Sequence, residues 1–284
     1  MKESTRWSSL NKEKYRAAVY GAIIGDAMGV PWEFKDRGTF ECTGMAGHGT
    51  HDQPAGTWSD DGSMLLATCK SLQENEGQVR KKDLLRKFRS WYEEGAFTQY
   101  GEVFDIGIAT RRSLHTGRGQ DGERDNGNGS LMRILPLAFT DCSDVDVRIA
   151  SSVTHAHWIS TEACSLYVKI IRRCLAGEDF ADVVRSLTGL EAPFDRIAAI
   201  GDLPETEIRS GGFVVHSLEA AIWCTLQTDT FRDCILKAVN LGDDTDTTAC
   251  ICGGLAMACC YDFEDIPQEW LDMIPKKEII EDCL

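Results

Sequence analysis

The chain has 284 residues, 43% of them hydrophobic, enough for a sizeable core in one large domain or two small ones. Its net charge of −15 leaves no basic stripe to neutralise phosphates, which argues against a nucleic-acid partner, so an anionic ligand would need donors supplied locally. The longest apolar run is about thirteen residues, short of the roughly 20 that cross a bilayer, and no membrane span is expected.

The first residues, MKESTRWSSLNKEKYR, carry no apolar core ahead of a small-residue cleavage site, which points away from a signal peptide and toward the cytoplasm. Twelve cysteines are scattered through apolar stretches (Cys69, Cys164, Cys174, Cys224, Cys250 and Cys259 among them) with no C-x-x-C pair, the pattern of reduced core residues rather than of zinc or disulfide partners.

Helical periodicity recurs along the chain and strand alternation hardly appears. The first helix spans about 12–29 and carries Gly21, Gly25 and Gly29 at four-residue spacing, a bare stripe that lets another helix approach closely at a cost in helix propensity. The next covers 59–73. Between 81 and 95, Leu84, Leu85, Phe88, Trp91 and Tyr92 fall on one face, with Asp83 near the start and Gly95 as a stop. Further helices are expected at 105–114, 131–139, 144–153, 160–175, 180–187, 216–226, 230–241 and 247–261. The class is therefore all-α. No repeat or linker divides the chain, so residues 13–284 read as one domain behind a short N-terminal extension, 1–12.

Residues 116–129, TGRGQDGERDNGNG, are polar with five glycines and read as a mobile surface loop or lid. The G-x-G-x-x-G within it lacks the preceding strand and following helix of a dinucleotide fingerprint and is not read as one.

Two acidic clusters carry the chemistry. Asp243 to Thr248 place three aspartates and three threonines at the mouth of an apolar helix, and Ser59, Asp60 and Asp61 repeat the design upstream. Helix capping accounts for one residue at each start but not for crowded carboxylates, whose repulsion raises their pKa values unless a cation sits among them. Two such starts meeting in a bundle would give hard oxygen ligands suited to Mg²⁺, Mn²⁺ or Ca²⁺, with bridging carboxylates able to hold two ions roughly 4 Å apart. Simple caps and a metal-free carboxylate acid/base pair stay open as the other readings.

GAIIGDAMGVPWEF (21–34), TWSDDGSM (57–64), FDIGIATRRSL (104–114), GNGSLMRILPLA (127–138), THAH (154–157) and LGDDTDTTA (241–249) together resemble the ADP-ribosylglycohydrolase family, of the dinitrogenase-reductase-activating glycohydrolase type, in order and approximate spacing. The resemblance implies a compact all-α orthogonal bundle with two Mg²⁺ or Mn²⁺ ions in a central cleft, hydrolysing the bond between ADP-ribose and an acceptor. It implies Ser59, Asp60, Asp61, Asp244, Asp246 and Thr247 as metal ligands. Many members have Thr where Ser59 stands and Gly where Asp243 stands, and Asp243 is left without a role.

By the same resemblance Glu33, Asp61 and Asp105 are expected to act in catalysis, Glu33 by gating the cleft or placing water. Gly127 and Gly129 would let the backbone approach a pyrophosphate, with Asn128 and the N–H groups of Gly129, Ser130 and Leu131 at hand. His155 would touch the ADP-ribose. Asp105 is the residue that bears on the acceptor, since a carboxylate suits the planar donors of a guanidinium, and it points to ADP-ribosyl-arginine in a protein. Its other reading is a helix cap. Serine-linked ADP-ribose, O-acetyl-ADP-ribose, ADP-ribosylated nucleic acid, or an immunity protein that binds a cognate ADP-ribosyltransferase are the alternatives. Arg133, His48, His51 and His115 are given no part.

Overall fold

Helix α1 (Ser9–Gly29) lies along α10 (Thr245–Cys259), and the rest of the chain is built around that pair. The computed structural model describes residues 9–284, with side chains from Lys12 onward; most of the expected N-terminal extension, 1–12, lies outside the described residues. Between the two central helices come α2 (Asp60–Glu74), α3 (Lys81–Glu94), α4 (Ile108–Thr116), α5 (Asp144–Ser151), α6 (Trp158–Leu175), α7 (Phe180–Arg185), α8 (Val214–Leu226) and α9 (Phe231–Asn240). Two short helices, α11 (Gln268–Met273) and α12 (Lys277–Cys283), follow. The described residues form no β-strand, only three isolated bridges, so the fold is all-α.

Every residue of α10 from Thr245 to Ala258 is buried, which its small and apolar sequence permits, and α6, α8 and α9 pack around it. The glycine stripe of α1 is what brings α1 against it. A Cβ on Gly21 would lie 2.6 Å from the carbonyl oxygen of Gly253, one on Gly25 2.0 Å from that of Ala249, and one on Gly29 2.3 Å from Cα of Asp246. The partner numbers fall as the α1 numbers rise, so the helices run antiparallel in backbone-to-backbone contact.

Three expectations change. Residues 131–139 form two 3₁₀ turns, Leu131–Arg133 and Leu135–Phe139, rather than an α-helix. Pro136 has no N–H to donate, and both Leu131 and Met132 give theirs to the Asn128 carbonyl. The helix expected from 105 starts at Ile108 instead, with Gly107 as its N-cap. Loop 116–129 is stitched down where mobility was expected: Gln120 N–H donates to Thr154 at 2.9 Å, Ala156 N–H donates to Gln120 at 2.7 Å, and a Cβ on Gly119 would meet the Ser152 carbonyl at 2.1 Å.

Candidate metal centre and substrate cleft

Because α1 and α10 are antiparallel, the last turn of α1, and Glu33 just beyond it, arrive at the N-terminus of α10. Thr245 Oγ1 closes the junction by donating to the Gly29 carbonyl at 2.8 Å. One turn earlier, the fully buried Asp26 accepts the Ser59 N–H at 3.0 Å on each oxygen and the Gly62 N–H at 2.7 Å. Asp26 therefore caps α2 from another helix, and both acidic helix starts are fixed at one end of α1.

The two clusters meet there. Thr247 Oγ1 and Ser59 Oγ each donate to Asp61 Oδ2 at 3.2 Å. Capping does not absorb the carboxylates: Ser59 caps α2, while Asp244, at the N-cap position of α10, makes no capping bond. Its Oδ2 instead accepts from Asn128 Nδ2 at 2.8 Å. Asp61 Oδ1, Asp244 Oδ1 and Asp246 Oδ2 are buried with no hydrogen-bond partner among the described residues. Orphaned oxygens on carboxylates near enough to repel one another fit cation ligands and do not fit caps.

Burial first, and mutual repulsion second, push Asp60, Asp61 and Asp246 well above the usual carboxylate range. Burial likewise raises Asp105 and Asp244, and lifts Asp26 and Glu33 to about 7. His51 is the cation that pulls back, at Glu33 and Asp105. Without a metal these groups keep protons at pH values where ordinary carboxyls have lost them.

Glu33 is 4% exposed and its Oε2 is in hydrogen-bond contact with His51 Nε2. Asp105 stands at φ 53°, in the left-handed region, ahead of α4, and so caps nothing. Glu33, His51, Asp105 and Asp246 each bring one donor atom into a group whose members all lie within 4.8 Å of one another.

The GNGS turn borders this centre. Asn128 donates from its backbone to Gly212 at 3.1 Å and from its side chain to Ser217 and Asp244, tying the turn to the α10 cluster. A Cβ on Gly129 would sit 2.9 Å from His155 Cε1, so only glycine leaves the ring its place. Ser130 Oγ accepts from Ser151 Oγ at 2.9 Å, and Leu131 N–H is taken by the Asn128 carbonyl at 2.8 Å. His155 is buried beside Gly127 and Gly129, with Nδ1 3.0 Å from Thr154 Oγ1. Burial, reinforced by Arg133, lowers it to about 3 and keeps it neutral. Arg133 itself is buried over the Phe88 ring and donates to Thr154 Oγ1 at 2.8 Å.

A model of the ADP-ribosylglycohydrolase family matches residues 8–284. The chain belongs to that family. Among relatives of this ADP-ribosylglycohydrolase is ADP-ribosylarginine hydrolase Tri1 of Pseudomonas putida (strain GB-1), 34% identical over 281 residues, which cover 92% of this chain and 74% of that one. Another is the ADP-ribosyl-(dinitrogen reductase) glycohydrolase of Rhodospirillum rubrum, 28% identical, with 92% and 90% covered. A solved structure titled "ADP-ribosylglycohydrolase-related protein complex" superposes with a TM-score of 0.81 at 29% identity, covering 96% of each chain.

The structure of this ADP-ribosylglycohydrolase adds two residues that sequence reasoning passed over. Asp26 had a visible signal, a lone carboxylate in a helix of glycines and apolar residues. His51 had none, because its turn, Gly49–His51, reaches Glu33 only through folding. The extra carboxylate of Asp243 is exposed, and its backbone, at φ 65°, pairs with the Glu33 turn through Phe34 N–H to Asp243 O at 2.7 Å and Asp243 N–H to Lys35 O at 2.8 Å.

Proposed function

We propose that this glycosidic-bond hydrolase removes ADP-ribose from arginine in mono-ADP-ribosylated protein, with two Mg²⁺ or Mn²⁺ ions held by Ser59, Asp60, Asp61, Asp244, Asp246 and Thr247. One observation carries the reading: Asp61, Asp244 and Asp246, each with a buried oxygen that has no hydrogen-bond partner among the described residues, lie near enough to Asp105 for its charge to raise all three. The relative named an ADP-ribosylarginine hydrolase supports the acceptor. When bound, the ions supply Lewis-acid contacts to the ribose hydroxyls and make a bound water acidic near neutral pH. In this reading Gly127, Gly129 and Ser130 offer close backbone to the pyrophosphate, with Asn128 bracing the turn, and neutral His155 orients the ribose side by hydrogen bonding. Asp105 holds the guanidinium. Glu33 takes a proton from the attacking water as the bond from C1″ to the guanidine nitrogen breaks. The guanidine leaves neutral and takes up that proton, and ADP-ribose is released. The cytoplasm is the compartment this reading favours, supported by twelve unpaired cysteines.

The test is release of free ADP-ribose from arginine-ADP-ribosylated protein with Mn²⁺ or Mg²⁺ and with EDTA, run beside a serine-linked substrate. Metal-dependent release from arginine is expected, and Asp60→Ala and Asp246→Ala should each abolish it while leaving the helical circular dichroism intact. Full activity of either variant would sink the two-ion centre, and release from serine alone would overturn the acceptor. A stable complex with an ADP-ribosyltransferase that survives EDTA and both substitutions, without turnover, would favour the binding role.

A further inference from the structure

We propose that Phe34 and Ile108 read the protein around the modified arginine, taking up apolar side chains next to it in the target chain. The inference rests on the arginine reading above and adds to it a preference for what flanks that arginine.

Phe34 and Ile108 are the two most exposed large apolar side chains among the described residues, at 66% and 69%. Each stands close in sequence to a carboxyl of the cleft: Phe34 follows Glu33, and Ile108 opens α4 three residues after Asp105. Those two carboxyls are neighbours, with one oxygen of each within 4.8 Å of the other. The ring of Phe34 lies 6.1 Å from that of His51, and the ring of His51 lies 5.2 Å from that of Phe104. Aromatic surface therefore extends from the exposed Phe34 to the chain just ahead of Asp105.

A scattered apolar side chain on a protein surface is ordinary, but Phe34 is not of that kind. Its backbone is left-handed at φ 64°, a conformation that a bulky residue rarely adopts. Two hydrogen bonds hold it there: Phe34 N–H donates to Asp243 O at 2.7 Å, and Asp243 N–H donates to Lys35 O at 2.8 Å. Glycine would fit that turn without strain, and asparagine with less. The ring gains little by burial in the free protein, so what offsets the strain is whatever covers it. Position names the occupant. A target arginine held at Asp105 brings its own chain neighbours to this rim, and burying one phenylalanine or isoleucine side chain against them strengthens binding by roughly tenfold or more.

Three probes test this: free ADP-ribosyl-arginine, and two peptides carrying ADP-ribosyl-arginine between leucines or between serines. For the full chain with Mn²⁺ or Mg²⁺, kcat/KM on the leucine peptide is expected to exceed that on the serine peptide by about tenfold or more, mostly through KM. Phe34→Asn, which suits left-handed backbone, and Ile108→Asn should each shrink that ratio toward one. On free ADP-ribosyl-arginine, which has no neighbours to lose, both variants should keep kcat/KM within about twofold. Phe34→Tyr should retain the preference. A wild type that treats the two peptides alike overturns the proposal. An asparagine variant that keeps the full preference, or loses activity equally on all three probes, overturns it for that residue. In each of these cases hydrolysis of free ADP-ribosyl-arginine leaves the arginine reading standing, whereas no release from any probe by the wild type overturns both.

Discussion

Asp26 sits inside an apolar helix and gives both carboxylate oxygens to the first N–H groups of another. Removing it as Asp26→Ala strands two buried donors at about 1–3 kcal/mol each, so the metal-free protein should lose roughly 2–6 kcal/mol in urea unfolding. A loss under about 0.5 kcal/mol would mean that α2 finds its start without this carboxylate. Asp105→Asn bears on the acceptor: losing one partner of a buried charge pair costs about 2 kcal/mol or more, so kcat/KM on ADP-ribosyl-arginine should fall by ~30-fold or more. Equal activity of Asp105→Asn on arginine would remove the guanidinium contact. At this scale Ser59, Asp60, Asp61, Asp244, Asp246 and Thr247 stood out as candidates because each cluster is contiguous and holds more carboxylates than one cap uses. Asp26 and His51 act across 33 and 18 residues of chain, and no local pattern announces a partner at that distance.

The crossing of α1 and α10 is set by three glycines, and it is the element-scale feature most exposed to a single substitution. Gly25→Ala would place a methyl 2.0 Å from the Ala249 carbonyl oxygen, where backbone must move. We expect a cost at or above the upper end of the 1–3 kcal/mol typical of overpacking, with a parallel loss of metal affinity as Asp246 shifts against Glu33. Unchanged thermal unfolding in Gly25→Ala would refute the close crossing. At Asp243 the backbone is already left-handed, so Asp243→Gly should change stability by less than about 1 kcal/mol while Asp243→Val loses more, as urea unfolding would show. Long amphipathic helices such as α3 were readable from periodicity, and the glycine stripe announced a close partner. The 3₁₀ turns at 131–139 were not readable, since their apolar run imitates a buried helix until Pro136 and the Asn128 carbonyl decide otherwise.

For the whole molecule, the all-α class followed from the absence of strand alternation, but the meeting of two clusters separated by 186 residues required the fold. That meeting sets how stability depends on pH. Asp26 and Glu33, raised from 3.8 and 4.5 to about 7, bind protons in the folded state that the unfolded chain has already released between about pH 4 and 7. Metal-free protein therefore loses stability as pH rises through that window, and its melting temperature in EDTA should be lower at pH 8 than at pH 5. Saturating Mn²⁺ or Mg²⁺ competes with those protons and should reverse the order. A melting temperature in EDTA that ignores pH would mean the carboxyls ionise unaided. The helix crossing has one more consequence. Contact between two main chains contains no side-chain torsion, so the spacing of Glu33 and Asp246 inherits the stiffness of the helices instead of the spread of rotamers. Residues facing the acceptor can then be exchanged, and the choice of substrate can drift, while the hydrolytic centre stays in register.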